Sequence, residues 1–254
     1  ILTTRQDALI GYWKLDENLY TAAKDMMGNY NGTLLGLTTT GSSKDWVSGR
    51  FGSGVKLGAS NGRIEVGSVP FNGSFTISLW LNSSDINSTE SLILAKDGFN
   101  EMNVCRLKKV NGSGHIAFDF LTDGNSSVET LQSFSPILIQ NEWIHLAIVY
   151  NDSNDSNRTL SLFADGNLSA QVSSVSLTGL PLMQRYSPFK IGGSANPFDG
   201  ILDDIRVYND DLTQSEIDQI YGLGGGDFNT LEIIGSGTTK VTAFQEGDDI
   251  YAPA

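Results

Sequence analysis

A single cysteine, Cys105, stands in 254 residues, so no disulfide can form within the chain. Its flanks, NVCRLKKV, read as a strand, which assigns the thiol to packing rather than to nucleophilic attack. Histidine is almost as scarce. His115 and His145 both fall inside strand-like patterns, and no G-x-S-x-G elbow accompanies them. One cysteine and two histidines do not make a zinc site, and a serine or cysteine triad has no support. No stretch approaches the roughly 18 apolar residues of a membrane span, so no membrane insertion is expected. Positive charge is short too. There are 16 Lys and Arg against 29 Asp and Glu, a formal net charge of −13. Such a field repels phosphate backbones and anionic membranes, which argues against nucleic acid as a partner. It suits neutral sugars, cationic partners, Ca²⁺ or plain solubility. The chain opens at ILTTRQDALIGYW without an initiator Met or a leader-like segment, and is expected to be a piece of something longer.

What is present is alternation. In FTISLWLNS, Phe75, Ile77, Leu79 and Leu81 share one face. In EWIHLAIVYND, Ile144, Leu146, Ile148 and Tyr150 share one face, yet the opposite face is also largely apolar. That is the pattern of a middle strand covered on both sides. GRIEVGS, SLILAKD, GHIAFDFLTD, RTLSLFADG, PFKIGGS and GILDDIRVY add further strands. Turn clusters such as KDGFN, NGSG, TDGNSS, NDSNDSN and ADGN separate them. N-x-[ST] triplets recur, three of them inside NDSNDSNRT; Asn, Ser and Gly are turn formers, and these triplets are read as turns rather than glycan acceptors. One segment differs. LTQSEIDQIYG places Glu216 three residues after Thr213, the spacing of a capping box, with Leu212, Ile217, Ile220 and Tyr221 near helical period. The expected fold is all-β, a two-sheet antiparallel jelly-roll sandwich with one short C-terminal helix.

GYWKLDE, KDMMGNYNGT, SGRFGSGVKL, FNGSFTISLWLNSSD, NEWIHLAIVYND, LFADGN, FKIGGS and FDGILDDIRVYNDDLTQSEIDQIYG occur in this order from about residue 10 to residue 222. The ordered set resembles the laminin-G-like jelly roll of the concanavalin A-like lectin/glucanase superfamily. That fold hosts lectins, adhesion modules, glucanases and lyases, so the resemblance speaks to architecture more than to activity. Residues 1–222 are expected to form the sandwich. Residues 223–254 are expected to be a linker and the start of a following module, because DFNTLEIIGSGTTKVTAFQEGDDIYAPA resembles the opening of an Ig-like bacterial repeat.

Asp203 and Asp204 sit in a stretch that otherwise reads as a buried strand, which demands a partner for each. Three readings compete. Catalysis would need two carboxylates about 5–10 Å apart. The resemblance implies them on one strand, near Glu-x-Asp-x-(x)-Glu, and no strand carries that pattern: Glu216 and Asp218 lie on the predicted helix, and Glu246 to Asp249 lie outside the sandwich. The second reading is a metal. The resemblance implies one structural Ca²⁺ held by an N-terminal loop and the Asp before the RVY strand. Carried over, its ligands are Asp25, Gly28, Asn31 and Asp203, with an ion pair from Asp203 to Arg206 as the alternative. The third is ligand recognition by loops, with Trp46, Phe99, Tyr186 and Phe198 as stacking rings near Asp97, Asn100 and Asn196. The resulting expectation is a non-catalytic glycan-binding or adhesion module, extracellular or at a cell surface, with flanking domains in the same polypeptide. A glycosidase or lyase of the same fold and a ligand-free spacer are the alternatives.

Overall fold

Period-two segments pair into two sheets. In the computed structural model the described residues are 7–42, 44–58, 62–70, 73–87, 91–97, 103–121, 128–152, 158–173, 188–193 and 198–222. Sheet A runs β14 (Asn167–Ser173), β13 (Thr159–Ala164), β12 (Trp143–Asn151), β7 (Phe75–Ser83), β16 (Gly200–Tyr208), β5 (Ser53–Leu57) and β4 (Trp46–Ser48), with β1 (Leu9–Trp13) also paired to β16. Sheet B runs β11 (Val128–Gln132), β10 (Ile116–Leu121), β9 (Asn103–Lys109), β8 (Ser91–Asp97), β15 (Phe189–Gly192), β6 (Arg63–Val66), β3 (Gly32–Leu35) and β2 (Ala22–Ala23). All pairings are antiparallel. The fold is the expected two-sheet jelly-roll sandwich.

Between the sheets lies the main core, with Trp13, Phe75, Leu79, Phe118, Ile148, Phe189 and Leu202 among its members. Cys105 is buried there, as its strand context predicts. A second, smaller apolar cluster explains why both faces of β12 are apolar. Helix α1 (Gln214–Gly222) lies over the outer face of sheet A, and Leu212, Ile217 and Ile220 pack with Leu9, Ala147, Val149 and Phe163. Its capping box forms as the spacing predicts: Glu216 Oε2 accepts from the Thr213 N–H at 2.7 Å, and the Glu216 N–H points back to Thr213 Oγ1 at 3.4 Å. The β13–β14 hairpin turns on Asp165 (φ 47°) and Gly166 (φ 78°), the two positive angles an Asp-Gly turn supplies. Residues 223–254, with the expected following module, lie outside the described residues.

Candidate binding groove

The two carboxylates of LDDIR are separated by a bulge, not by simple alternation. Asp203 pairs with Trp80 and Arg206 with Ser78, and the register shifts between them. Asp204 takes φ 51° to absorb the extra residue, a conformation Asp tolerates better than most side chains. Strict alternation along the strand would turn Asp204 to the side opposite Asp203, and the bulge overrides it. Asp204 lies within electrostatic reach of Asp203, and it is Asp204, not Asp203, that holds the arginine. Arg206 Nη2 sits 3.0 Å from Asp204 Oδ2 and donates to the Tyr12 hydroxyl at 3.1 Å, with its guanidinium 4.6 Å above the Tyr12 ring. Asp203 is fully buried. Its Oδ2 accepts from the Phe51 N–H at 2.9 Å, while Oδ1 has no partner among the described residues. Burial pushes its carboxyl up to about 8, against the Phe51 hydrogen bond, and the charges of Asp204 and Asp16 add to the rise.

The 25–31 loop meets its carboxylate differently. Asp25 Oδ1 accepts from the N–H groups of Tyr12 (2.8 Å) and Met27 (3.0 Å), and Oδ2 from those of Asn29 (3.0 Å) and Tyr30 (2.9 Å). Asn31 Oδ1 is occupied as well, by the Asp25 N–H at 2.9 Å. Gly28, at φ 78°, closes the turn that aims these amides inward. Four inward N–H groups make an anion cradle, and a cation there would face the positive ends of those dipoles. The set Asp25, Gly28, Asn31 and Asp203 therefore does not fit one Ca²⁺ as expected. Of the three side chains in that set, only Asp203 keeps an oxygen without a hydrogen bond among the described residues. Among the described residues no three His, Cys, Asp or Glu side chains form a metal cluster.

Beside Asp203 the chain builds an open groove of about 620 Å³, lined by Asp16, Asn18, Lys44, Trp46, Ser48 and Ser53 among others. Two segments form it, the loop after β1 and the β4–β5 hairpin. They are clamped together. The Ser53 N–H donates to Asp16 Oδ1 (2.9 Å), Ser53 Oγ to the Leu15 carbonyl (2.8 Å), and Trp46 Nε1 to the Tyr20 carbonyl (2.9 Å). Lys44 Nζ donates to both the carbonyl and Oδ1 of Asn18 at 3.0 Å. The loop backbone is strained: Leu15 (φ 59°), Asn18 (φ 55°) and Tyr20 (φ 65°) are all left-handed without being glycine. Such outliers persist where surrounding structure over-determines them, and they concentrate at binding sites. On the same loop the Tyr20 side chain is 68% exposed, while its carbonyl is held by Trp46 of the groove wall.

The expected stacking rings fare unevenly. Trp46 lines the groove but is 1% exposed, and Phe198 is fully buried in the main core. Neither ring presents a face to a sugar, because the sandwich interior claims both. Phe99, Asn100, Tyr186 and Asn196 lie outside the described residues, as does the side chain of Asp97 at the end of β8. Reading the chain missed Asp16, Asn18, Tyr20, Lys44 and Ser48. The signal for Asp16 and Asn18 was a polar run, DEN, two residues after an apolar strand, and Tyr20, Lys44 and Ser48 gave none. A Ser78–His145 pair, 2.8 Å apart, is the arrangement nearest to a nucleophile and base, but both side chains are buried and His145 Nδ1 meets no described partner. Burial and the nearby Arg206 lower the His145 ring to about 3, so it stays neutral beneath Trp80 and Tyr221.

Comparison with known proteins follows the same lines. The family model for laminin G domains of the concanavalin A-like lectin/glucanases superfamily matches residues 57–218. Adhesion G-protein coupled receptor V1 of Danio rerio is 22% identical over 154 residues, which cover 58% of this chain and 2% of the receptor. The binding domain of botulinum neurotoxin serotype D superposes with a TM-score of 0.65 at 17% identity, covering 85% of this chain and 52% of that one. Domain 4 of an extracellular arabinanase from Geobacillus stearothermophilus, solved in complex with arabinotriose, gives a TM-score of 0.60 at 18% identity, covering 84% of this chain and 98% of that domain. At these identities the structural likeness is one of fold.

Proposed function

Since the chain belongs to the concanavalin A-like lectin/glucanase superfamily, we propose that it is a non-catalytic glycan-binding module of a larger extracellular or cell-surface protein, and that its ligand occupies the groove between the β1–β2 loop and the β4–β5 hairpin. The observation that carries this reading is the open groove lined by Asp16, Asn18, Lys44 and Ser48, with the exposed Tyr20 side chain on the same strained loop. That mixture of amide, hydroxyl, carboxylate and ammonium matches hydroxyl groups better than it matches one sign of charge, and an exposed aromatic on the adjoining loop can stack on a sugar face. The likeness to a domain solved with arabinotriose supports the choice of ligand class. No described helix is long and apolar enough to cross a membrane. Titration calorimetry against a panel of neutral oligosaccharides, arabinotriose included, tests the proposal. Binding should appear, and Tyr20→Ala should weaken it by about tenfold, the scale of one lost stacking contact. Silence across the panel from a folded protein favours a spacer, and release of reducing ends favours an enzyme.

The structural Ca²⁺ stays part of this proposal, moved to the Asp203 side. Its support is the buried, unpartnered Oδ1 and a second carboxylate, Asp16, whose charge acts on the first. A cation there would relieve that repulsion and would complete its shell with neutral oxygens.

A further inference from the structure

Asn-Gly steps occur at residues 31, 61, 72 and 111. Such a step carries its own reactants. The glycine backbone nitrogen can attack the carbonyl carbon of the asparagine side chain, because no Cβ on the glycine stands in the way. Whether the attack happens depends on how firmly the fold holds the pair. Asn31 and Asn111 lie among the described residues, and both are exposed, so exposure does not separate them. Their hydrogen bonding does.

Asn31 is tied down. Its Oδ1 accepts from the Asp25 N–H at 2.9 Å, beside the carboxylate cradle. Gly32 is buried and pairs with Ala23 where β2 meets β3, so closely packed that a Cβ on it would lie 2.7 Å from Ile64 Cγ2. Bringing the Gly32 nitrogen onto the Asn31 side chain turns the peptide plane between them, and that breaks this packing. Asn111 is held by its chain ends alone. Residues 111–114 connect β9 to β10, and the Val110 N–H closes the connection by donating to the His115 carbonyl at 2.9 Å. Neither the Asn111 side chain nor the Gly112 N–H makes a hydrogen bond among the described residues. Gly112 is exposed at φ 61°, and the nearest atom to a Cβ on it would be the Asn87 carbonyl oxygen, 3.7 Å away. Loop tips of this kind are where the backbone is freest to change.

We infer that Asn111 is a site of self-modification, a deamidation driven by the Gly112 backbone, and that the fold protects Asn31 from the same reaction. The Gly112 nitrogen bonds to Asn111 Cγ, its proton passes to the side-chain nitrogen, and ammonia leaves. Water then opens the succinimide ring. Opening at the Cγ carbonyl gives aspartate. Opening at the main-chain carbonyl gives isoaspartate, in which the backbone runs through Cγ. No oxidant or reductant enters, and either product adds a carboxylate to an already acidic chain. Isoaspartate also lengthens the backbone by one carbon. The turn transmits that change, because the Gly114 carbonyl accepts from the N–H groups of Ile137 (3.0 Å) and Leu138 (2.9 Å), and Leu138 is part of the main core.

The test ages the full chain in heavy-oxygen water at mildly alkaline pH and maps its peptides by mass spectrometry, with isoaspartyl methyltransferase as the probe for isoaspartate. In the folded protein Asn111 should convert about tenfold faster than Asn31, taking up heavy oxygen, because Asn31 must first open locally. In urea the two rates should converge. Asn111→Gln, whose longer side chain closes the ring far more slowly, should lose the methyl acceptance at this peptide. The aged parent should melt below the fresh one, and the aged variant should keep more of its melting temperature. Should Asn111→Gln fail to fold, the two rates within the parent decide. The inference is overturned if Asn111 keeps its amide in the folded protein, if Asn31 converts as fast, or if the aged parent and the aged variant lose stability equally.

Discussion

Asp25 and Asp203 are both buried carboxylates, yet the chain treats them in opposite ways. Asp25 receives four backbone N–H groups from its own neighbourhood and from β1. Asp203 receives the Phe51 N–H on one oxygen and no described partner on the other, beneath a hairpin that walls an open groove. The first carboxylate completes a fold. The second is left unfinished by the fold, which is the condition of a group kept for a proton, an ion or a ligand. Residue type and burial are the same, and the difference lies in how many amides the local backbone can turn inward.

The sharpest way to break that comparison is to remove Asp25. Asp25→Ala strands several buried amides and should cost about 3 kcal/mol in a urea melt, the range expected when hydrogen bonds to a charged acceptor are lost. A loss below about 1 kcal/mol would mean that the cradle is ornamental. Asp203 should behave in the other sense, through pH. Its folded carboxyl is raised to about 8 from an ordinary 3.8, so the stability it contributes is present at low pH and is lost as pH rises towards 8. His145, lowered to about 3 from 6.5, works oppositely, and its stability is lost as pH falls below 6.5. The two offset each other between about pH 4 and 6.5. Above 6.5 Asp203 acts alone, and stability should fall by about 2 kcal/mol by pH 8 in the presence of a chelator. Asp203→Asn should abolish the fall, and bound Ca²⁺, by holding the carboxylate ionised, should abolish it too. A flat chelated profile from pH 6.5 to 8 would mean that Asp203 is better solvated than its burial says.

Much of the sandwich was legible in the chain, for reasons visible in particular residues. Strands β7 and β12 announced themselves because alternation is imposed by the pleat itself. The second apolar face of β12 was legible as coverage but not as α1, since a sequence shows that a face is dry without showing what dries it. The capping box and the Asp165-Gly166 turn were local, and local signals survive tertiary context. The groove was not legible. Its residues run from Asp16 to Ser53, and what joins them is clamping hydrogen bonds from Lys44, Trp46 and Ser53, which no spacing encodes. The left-handed angles of Leu15 and Tyr20 are equally silent, because neither residue favours them. Trp46 and Phe198 misled because large aromatics suit a core and a sugar platform equally well. Asp204 misled because alternation holds only until a bulge interrupts it.

A smaller effect sharpens the contrast at the helix. Thr213→Ala removes the hydroxyl from the capping box of α1 and should cost about 1 kcal/mol by thermal melt without touching the groove. A change in ligand affinity in that variant would mean that the roof of sheet A and the groove are one unit.

The most direct measurement is amide chemical-shift mapping during titration with a neutral oligosaccharide that binds. The account predicts shifts confined to residues 16–20 and 44–53, with the amides of Met27, Asn29 and Tyr30 unmoved in their cradle and no release of reducing ends. Shifts centred on residues 25–31, or cleavage of the sugar during the titration, would contradict it.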